Sequence, residues 1–178
     1  MLPQCENAAV RSISREVDLA WLAGIIDGEG CLSLDLKLAG NGKPYLSAKV
    51  RVINTDVRMI QKCARVYIDL NVVFYYSIHR RTQAHYKDQT AIIVSSQGSS
   101  LKILEAIWPY LANKQATAKV MSDILRFVMA FPKGGNTSSY DYSADPTFQE
   151  LLAKWNQERK FHIEPSTTSR QAREVISW

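Results

Sequence analysis

An acidic pair set among glycines, Asp27-Gly28-Glu29-Gly30, closes an apolar stretch near the start of the chain, Leu22-Ala23-Gly24-Ile25-Ile26. The stretch reads as a helix over 15–28, with Ser14 as its N-cap. Ala20, Gly24 and Gly28 fall four apart and give that helix one stripe with almost no side chain. Such a stripe admits a second helix backbone to backbone. The helix is expected to end at Gly28 and Gly30, where glycine tolerates a left-handed terminus. Two helices so paired bring two Glu29 carboxylates together. Like charges share a small space only at high cost unless a cation lies between them. The chemistry implied is a divalent metal held by oxygen ligands at a two-fold axis. A helix followed by a glycine turn with Glu29 merely exposed is the plain alternative.

No other catalytic constellation competes. His79, His85 and His162 are scattered without ligand spacing. There is no Ser-His-Asp or Cys-His arrangement, and no P-loop or GxGxxG string. The three cysteines, Cys5, Cys31 and Cys63, have no CxxC spacing. That sparse, odd set argues against zinc and for a reducing, intracellular setting.

Elements on either side must position the acidic pair. Leu32, Leu34, Leu36 and Leu38 hold every second position, as do Leu46, Ala48, Val50 and Val52 after a turn at 39–44. This strict period of two predicts a hairpin with one apolar face. Its other face carries Asp35, Lys37, Tyr45, Ser47, Lys49 and Arg51. Asn54 and Thr55 can cap a helix over 56–68. A second hairpin is expected over 72–81 and 86–95, joined across 82–84, with Tyr75, Ser77, His79, Arg81, Lys87 and Gln89 outward. Helices follow over 99–111, 114–131, 146–160 and 167–177. The order is αββαββα with C-terminal helices: an α+β fold with one antiparallel sheet. No internal repeat is present. Residues 1–14 read as an N-terminal arm and 15–178 as a single domain.

Net charge is +5, concentrated in one segment: residues 31–96 hold ten Lys or Arg against four Asp or Glu. A basic excess on one surface is the footprint of a polyanion. A two-stranded ribbon fits the major groove of B-DNA, where base edges carry a code. Lysine and arginine there suit phosphate or guanine, Asp35 suits cytosine, and Gln89 suits adenine. No apolar run approaches the ~18 residues of a membrane span. Residues 1–10 include Glu6 and contain no secretory core, so neither a membrane partner nor a targeting peptide is expected.

Residues 22–30, LAGIIDGEG, resemble the LAGLIDADG motif of homing endonucleases, with Ile, Gly and Glu at its fourth, seventh and eighth positions. The element order is similar to the single-motif, homodimeric group. The resemblance implies a saddle of antiparallel sheets astride double-stranded DNA with a long, partly palindromic target. It implies site-specific phosphodiester hydrolysis promoting intron mobility. It makes Glu29 the ligand of Mg²⁺, with Mn²⁺ or Ca²⁺ as alternatives at the same sites, and the Gly28 carbonyl a second ligand. Asp27 becomes structural, at the dimer seam with Ala20, Gly24 and Gly28. Residues 52–58 resemble a segment where an amide orders solvent, which assigns that role to Asn54 and makes Arg58 its basic companion. Residues 109–116, PYLANKQA, resemble the Pro-aromatic-Leu-x-x-Lys-Gln segment, making Lys114 the catalytic lysine. Arg159 and Lys160 would flank the sheet on phosphates. A non-cleaving relative, such as an RNA splicing maturase, is the second reading, and a small-molecule hydrolase a third with no supporting second carboxylate.

Overall fold

A computed structural model of the chain describes residues 4–38, 44–80, 87–131 and 142–163. The elements are α1 (Gln4–Glu29), β1 (Gly30–Leu38), β2 (Pro44–Asn54), α2 (Val57–Asp69), β3 (Tyr75–His79), β4 (Gln89–Val94), α3 (Gln97–Ile107), α4 (Gln115–Ala130) and α5 (Pro146–Ile163). One-turn 3-10 helices stand at Trp108–Tyr110 and Tyr142–Ala144. The α+β, αββαββα order expected from the sequence is the order observed.

The four strands form one antiparallel sheet in the order β1-β2-β4-β3. Register follows the period of two. Leu34 lies opposite Ala48 and Leu32 opposite Val50, so leucines and valines share one face. Val50 and Val52 continue that face to Val94 and Ile92 of β4. Helices cover it. On α1, Leu19, Leu22, Ala23 and Ile26 are buried at the spacing of a helix's apolar stripe. Ile60, Cys63 and Tyr67 of α2, Ile103, Leu104 and Ile107 of α3, and Met121 and Ile124 of α4 complete the core. Phe148 and Trp155 seat α5, with Phe148 stacked on Phe127 at 5.9 Å.

Several boundaries depart from expectation. The first helix begins at Gln4, so residues 4–14 of the expected arm are continuous with α1, and Ser14 lies inside the helix rather than capping it. Neither Gly28 nor Gly30 is left-handed. The helix runs through Gly28, and Gly30 is needed for space: a Cβ there would lie 2.6 Å from Ile26 Cα and 2.7 Å from its carbonyl oxygen. The cap of α2 is Asp56, whose carboxylate accepts from the Arg58 amide at 2.9 Å. Asn54 supports the cap from outside, accepting from the Asp56 amide at 2.8 Å.

The second hairpin is shorter than the sequence pattern implies. β3 spans only Tyr75–His79 and β4 starts at Gln89, which leaves Lys87 outside the strand. Arg81, the joining residues 82–84 and the helix expected over 167–177 lie outside the described residues. Among the described residues, no helix is long and apolar enough to cross a membrane.

Candidate metal centre and nucleic-acid interface

The uncovered face of the sheet carries the odd-numbered positions of β1 and β2. Ser33 pairs with Lys49, Asp35 with Ser47, Lys37 with Tyr45, and Cys31 with Arg51. Across β4 and β3 the same face continues through Gln89 and His79, Ala91 and Ser77, and Ile93 and Tyr75. Asp35, Lys37, Tyr45, Tyr75 and His79 are exposed, while Ser47, Lys49, Arg51, Ser77 and Gln89 are partly exposed. The predicted outward register therefore holds for every described strand residue in it. Lys87 is exposed beside the sheet rather than in it, and Arg159 is exposed on α5. Lys160 lies within α5. The centre of the face is not polar: Ala91 and Ile93 are buried there, flanked by Arg51 and Tyr75. Only pairing across strands reveals that apolar strip, because both residues sit inside the continuous apolar run of β4.

The charges of this face differ from those on the helices. Several helix-borne cations are committed: Lys119 to Asp123 at 2.7 Å, Arg126 to Glu105 at 2.8 Å, and Lys154 to Glu150 at 2.8 Å. Among the described residues, Lys37, Lys49 and Arg51 enter no ion pair or hydrogen bond. Cations left unpaired on a concave or flat sheet retain their full attraction for an external anion.

At one end of this face the chain brings its acidic residues out of α1. Glu29 is the last residue of the helix and is exposed. Gly30 pairs with Val52 and Cys31 with Arg51, so Glu29 adjoins the end of the sheet that holds Arg51 and the β2–α2 turn. In that turn the Arg58 guanidinium grips the Asp56 carboxylate through Nε at 3.1 Å and Nη2 at 3.0 Å. This fork lowers the Asp56 carboxyl below its ordinary range, chiefly through the side-chain hydrogen bond from Arg58, and raises Arg58 in return. Asn54 accepts from the Asp56 amide through its side-chain oxygen, which leaves its NH₂ group free for solvent. The sequence reading placed Asp56 as the first residue of the helix over 56–68; it is instead the N-cap and the residue that fixes Arg58.

Asp27 and Lys114 meet on the other side of α1. Asp27 accepts from the backbone amides of Ala112 (2.6 Å), Asn113 (3.1 Å) and Lys114 (2.9 Å). Burial raises its carboxyl, but the three amides and the Lys114 ammonium outweigh it and hold the group below its usual value. Lys114 Nζ donates to the carbonyls of Ile26 (2.8 Å) and Asp27 (2.5 Å).

Among the described residues, nothing covers the outer side of α1. Ala20, Gly24 and Gly28 are exposed, and a Cβ built on Gly24 or Gly28 meets nothing within 4 Å. The metal donors of one chain are correspondingly few. Glu29 and the Gly28 carbonyl are hard oxygen ligands of the kind Mg²⁺ and Ca²⁺ prefer. Yet no three His, Cys, Asp or Glu side chains converge among the described residues. The donors fit a divalent ion in type.

No protein-family model matches the chain, and no curated protein matches it by sequence. Solved structures do. The homing endonuclease I-CvuI, in complex with an I-CreI target, is 17% identical over 80% of this chain and 97% of that one, with a TM-score of 0.52. The homing endonuclease I-TnaI is 15% identical over 88% of this chain and 95% of that one, at 0.51. I-SmaMI, bound to an uncleaved DNA target in the presence of calcium ions, is 14% identical over 80% of this chain and 45% of that one, at 0.57. The chain has the fold of the LAGLIDADG homing endonucleases, and its LAGIIDGEG string lies where that fold turns from its first helix into its sheet.

Proposed function

We propose that this chain is one subunit of a homodimeric, divalent-metal-dependent endonuclease that cleaves double-stranded DNA at a long, partly palindromic site. The carrying observation is Glu29: an exposed carboxylate at the end of a helix whose outer stripe is bare, beside a sheet face of unpaired cations. Two-fold pairing through Ala20, Gly24 and Gly28, with Asp27 at the seam, brings two copies of Glu29 together and joins two sheets into one surface. A chain of this length matches nearly all of I-CvuI but under half of I-SmaMI.

Each group of residues then has a task. Lys37, Lys49, Arg51 and His79 engage phosphates or guanine edges. Asp35 and Gln89 read donor and acceptor groups in the major groove, while Tyr45, Ser47, Tyr75 and Ser77 supply further polar contacts. Lys87 and Arg159 reach backbone outside the central groove, and Arg81 and Lys160 are further candidates for phosphate contact. Glu29 and the Gly28 carbonyl hold the divalent ion, Mg²⁺ in the cell and Mn²⁺ or Ca²⁺ as substitutes. That ion, when bound, activates water and relieves charge on the phosphoryl oxygens. Arg58, fixed by Asp56, places a permanent positive charge near the scissile phosphate. The free amide of Asn54 orders solvent beside it, and Lys114 supports the metal end of α1.

The test begins without a known target. Duplexes retained by the protein from a random-sequence pool are recovered and cloned, then incubated with protein and Mg²⁺ or EDTA. The proposal expects a common motif with two-fold symmetry and linearisation of its plasmid in Mg²⁺ alone. Retention of RNA in preference to duplex, with no cleavage of any selected DNA, contradicts it and favours the maturase reading.

A further inference from the structure

Two helix ends 85 residues apart in the chain cap one another. Where α1 gives way to β1 at Gly30, the carbonyls of Ile26 and Asp27 stand at the C-terminal end of the helix, where partners from outside it can reach them. Lys114 Nζ donates to both. Lys114 is itself the residue at the start of α4, and its side chain makes no cap there. Asp27 fills that role from across the fold, accepting from the amides of Ala112, Asn113 and Lys114. A cation therefore sits at the C-terminus of one helix and a carboxylate at the N-terminus of the other, each where the helix dipole favours it. Both carboxylate oxygens of Asp27 are engaged by these amides, which leaves Glu29 as the uncommitted carboxylate at this end of α1.

We propose that Asp27 and Lys114 form a reciprocal clamp that sets the direction of the Glu29 carboxylate, and that both are positioning residues. This rests on the reading of Glu29 as a metal ligand. Two of the three N–H donors of Lys114 are committed to α1 carbonyls, so its influence on the reaction passes through the last turn of α1. Glu29 lies two residues beyond Asp27 on that turn. Release of either partner loosens the turn and, with it, the ligand. Partners that orient metal ligands in this way are worth about 10- to 100-fold in metal affinity.

The test uses the full-length protein on a duplex selected from a random-sequence pool, with Asp27→Asn, Lys114→Met, Lys114→Arg and the double variant. Two readouts are taken: amide hydrogen exchange over 26–31 in metal-free protein, and Ca²⁺ affinity of the protein–DNA complex by calorimetry. Asp27→Asn and Lys114→Met are expected to speed exchange over 26–31 and to weaken Ca²⁺ binding about 10-fold or more. DNA affinity should stay within about twofold, because the sheet contacts are untouched. The double variant should be little worse than either single one, since both break one clamp. Lys114→Arg should restore part of the Ca²⁺ affinity.

Unchanged exchange in both single variants overturns the clamp. Faster exchange with unaltered Ca²⁺ affinity overturns its role in setting Glu29. A turnover defect for Lys114→Met at saturating Mg²⁺ with wild-type metal affinity overturns positioning in favour of a direct chemical role. Absence of any Ca²⁺ binding by the unmodified complex removes the metal reading itself, and the proposal with it.

Discussion

Gly30 lies so close to Ile26 that a β-carbon on it would stand 2.6 Å from the Ile26 α-carbon. The contact is with backbone, so no rotamer change can relieve it. The chain leaves the last turn of α1 and enters β1 through a passage only glycine fits, immediately after Glu29. Gly30→Ala is expected to destabilise the fold by about 2 kcal/mol or more, in line with overpacking elsewhere. Gly98→Ala is the control. Its added carbon meets only Met129 Cε at 3.8 Å, and it should be neutral or stabilising by up to about 1 kcal/mol. Urea denaturation of the two variants separates these outcomes.

Gly24 has open space above it, and the account fills that space with a second copy of α1. Gly24→Leu should leave the subunit folded and weaken association at least about tenfold by separating the helices. Sedimentation equilibrium reads the change directly. A wild-type protein that stays monomeric while cleaving both strands contradicts the two-fold arrangement.

Lys49 is uncommitted, whereas Lys119 is tied to Asp123 at 2.7 Å. Lys49→Ala should weaken DNA binding and lower the slope of log affinity against log salt by about one, the value of a lost phosphate contact. Lys119→Ala should change neither quantity. Binding titrations across a salt series make the comparison.

Cys63 is buried against the sheet, and burial pushes its thiol up to about 11, while Cys31 is exposed. At pH 8, iodoacetamide should label Cys31 in native protein and Cys63 only after unfolding, as peptide mass mapping would record. The sign of the pH dependence follows. The native thiol keeps its proton above pH 9, where the unfolded thiol, at its ordinary value of 9.0, releases it. Stability from this group is therefore complete below pH 9 and is lost as pH rises toward 11. Labelling of Cys63 at pH 8 in the folded protein contradicts the burial.

The first hairpin was readable in the sequence because both of its strands alternate without a break and one face is covered over most of its length. Leu34, Leu46, Ala48, Val50 and Val52 are all buried, and their register follows from the period alone. The second hairpin lacks that signal for a physical reason. β3 is an edge strand, and Tyr75, Tyr76 and Ile78 are exposed on both of its faces. β4 is buried on both faces, so Ala91, Ile92, Ile93 and Val94 form a continuous apolar run that hides its alternation. The strand limits could not be read from burial that does not alternate.

The site divides in the same way. Glu29 was legible because it stands in a nine-residue string, and the sheet cations because their positions follow from β1 and β2. The partners of Asp27 were not, since its three amides come from a loop brought alongside only by the packing of α1 against α3 and the Trp108–Tyr110 turn. Asp56 as the holder of Arg58 was obscured by Asn54 and Thr55, equally good caps by residue type. Backbone geometry chooses among the three, and Asp56 is the one whose carboxylate faces the Arg58 amide.

Glu29→Gln tests the central claim most directly. The substitution preserves size and removes the charge that a divalent ion requires, while the groove contacts come from other residues on the sheet. The account predicts that the variant binds a selected duplex within about twofold of wild type and cuts neither strand at any Mg²⁺ concentration. A mixed dimer with one altered subunit should lose cleavage of both strands if the two carboxylates share an ion, or nick one strand if they do not. Double-strand cleavage by the Glu29→Gln homodimer at a near-normal rate in Mg²⁺ would take Glu29 out of the chemistry and contradict the account.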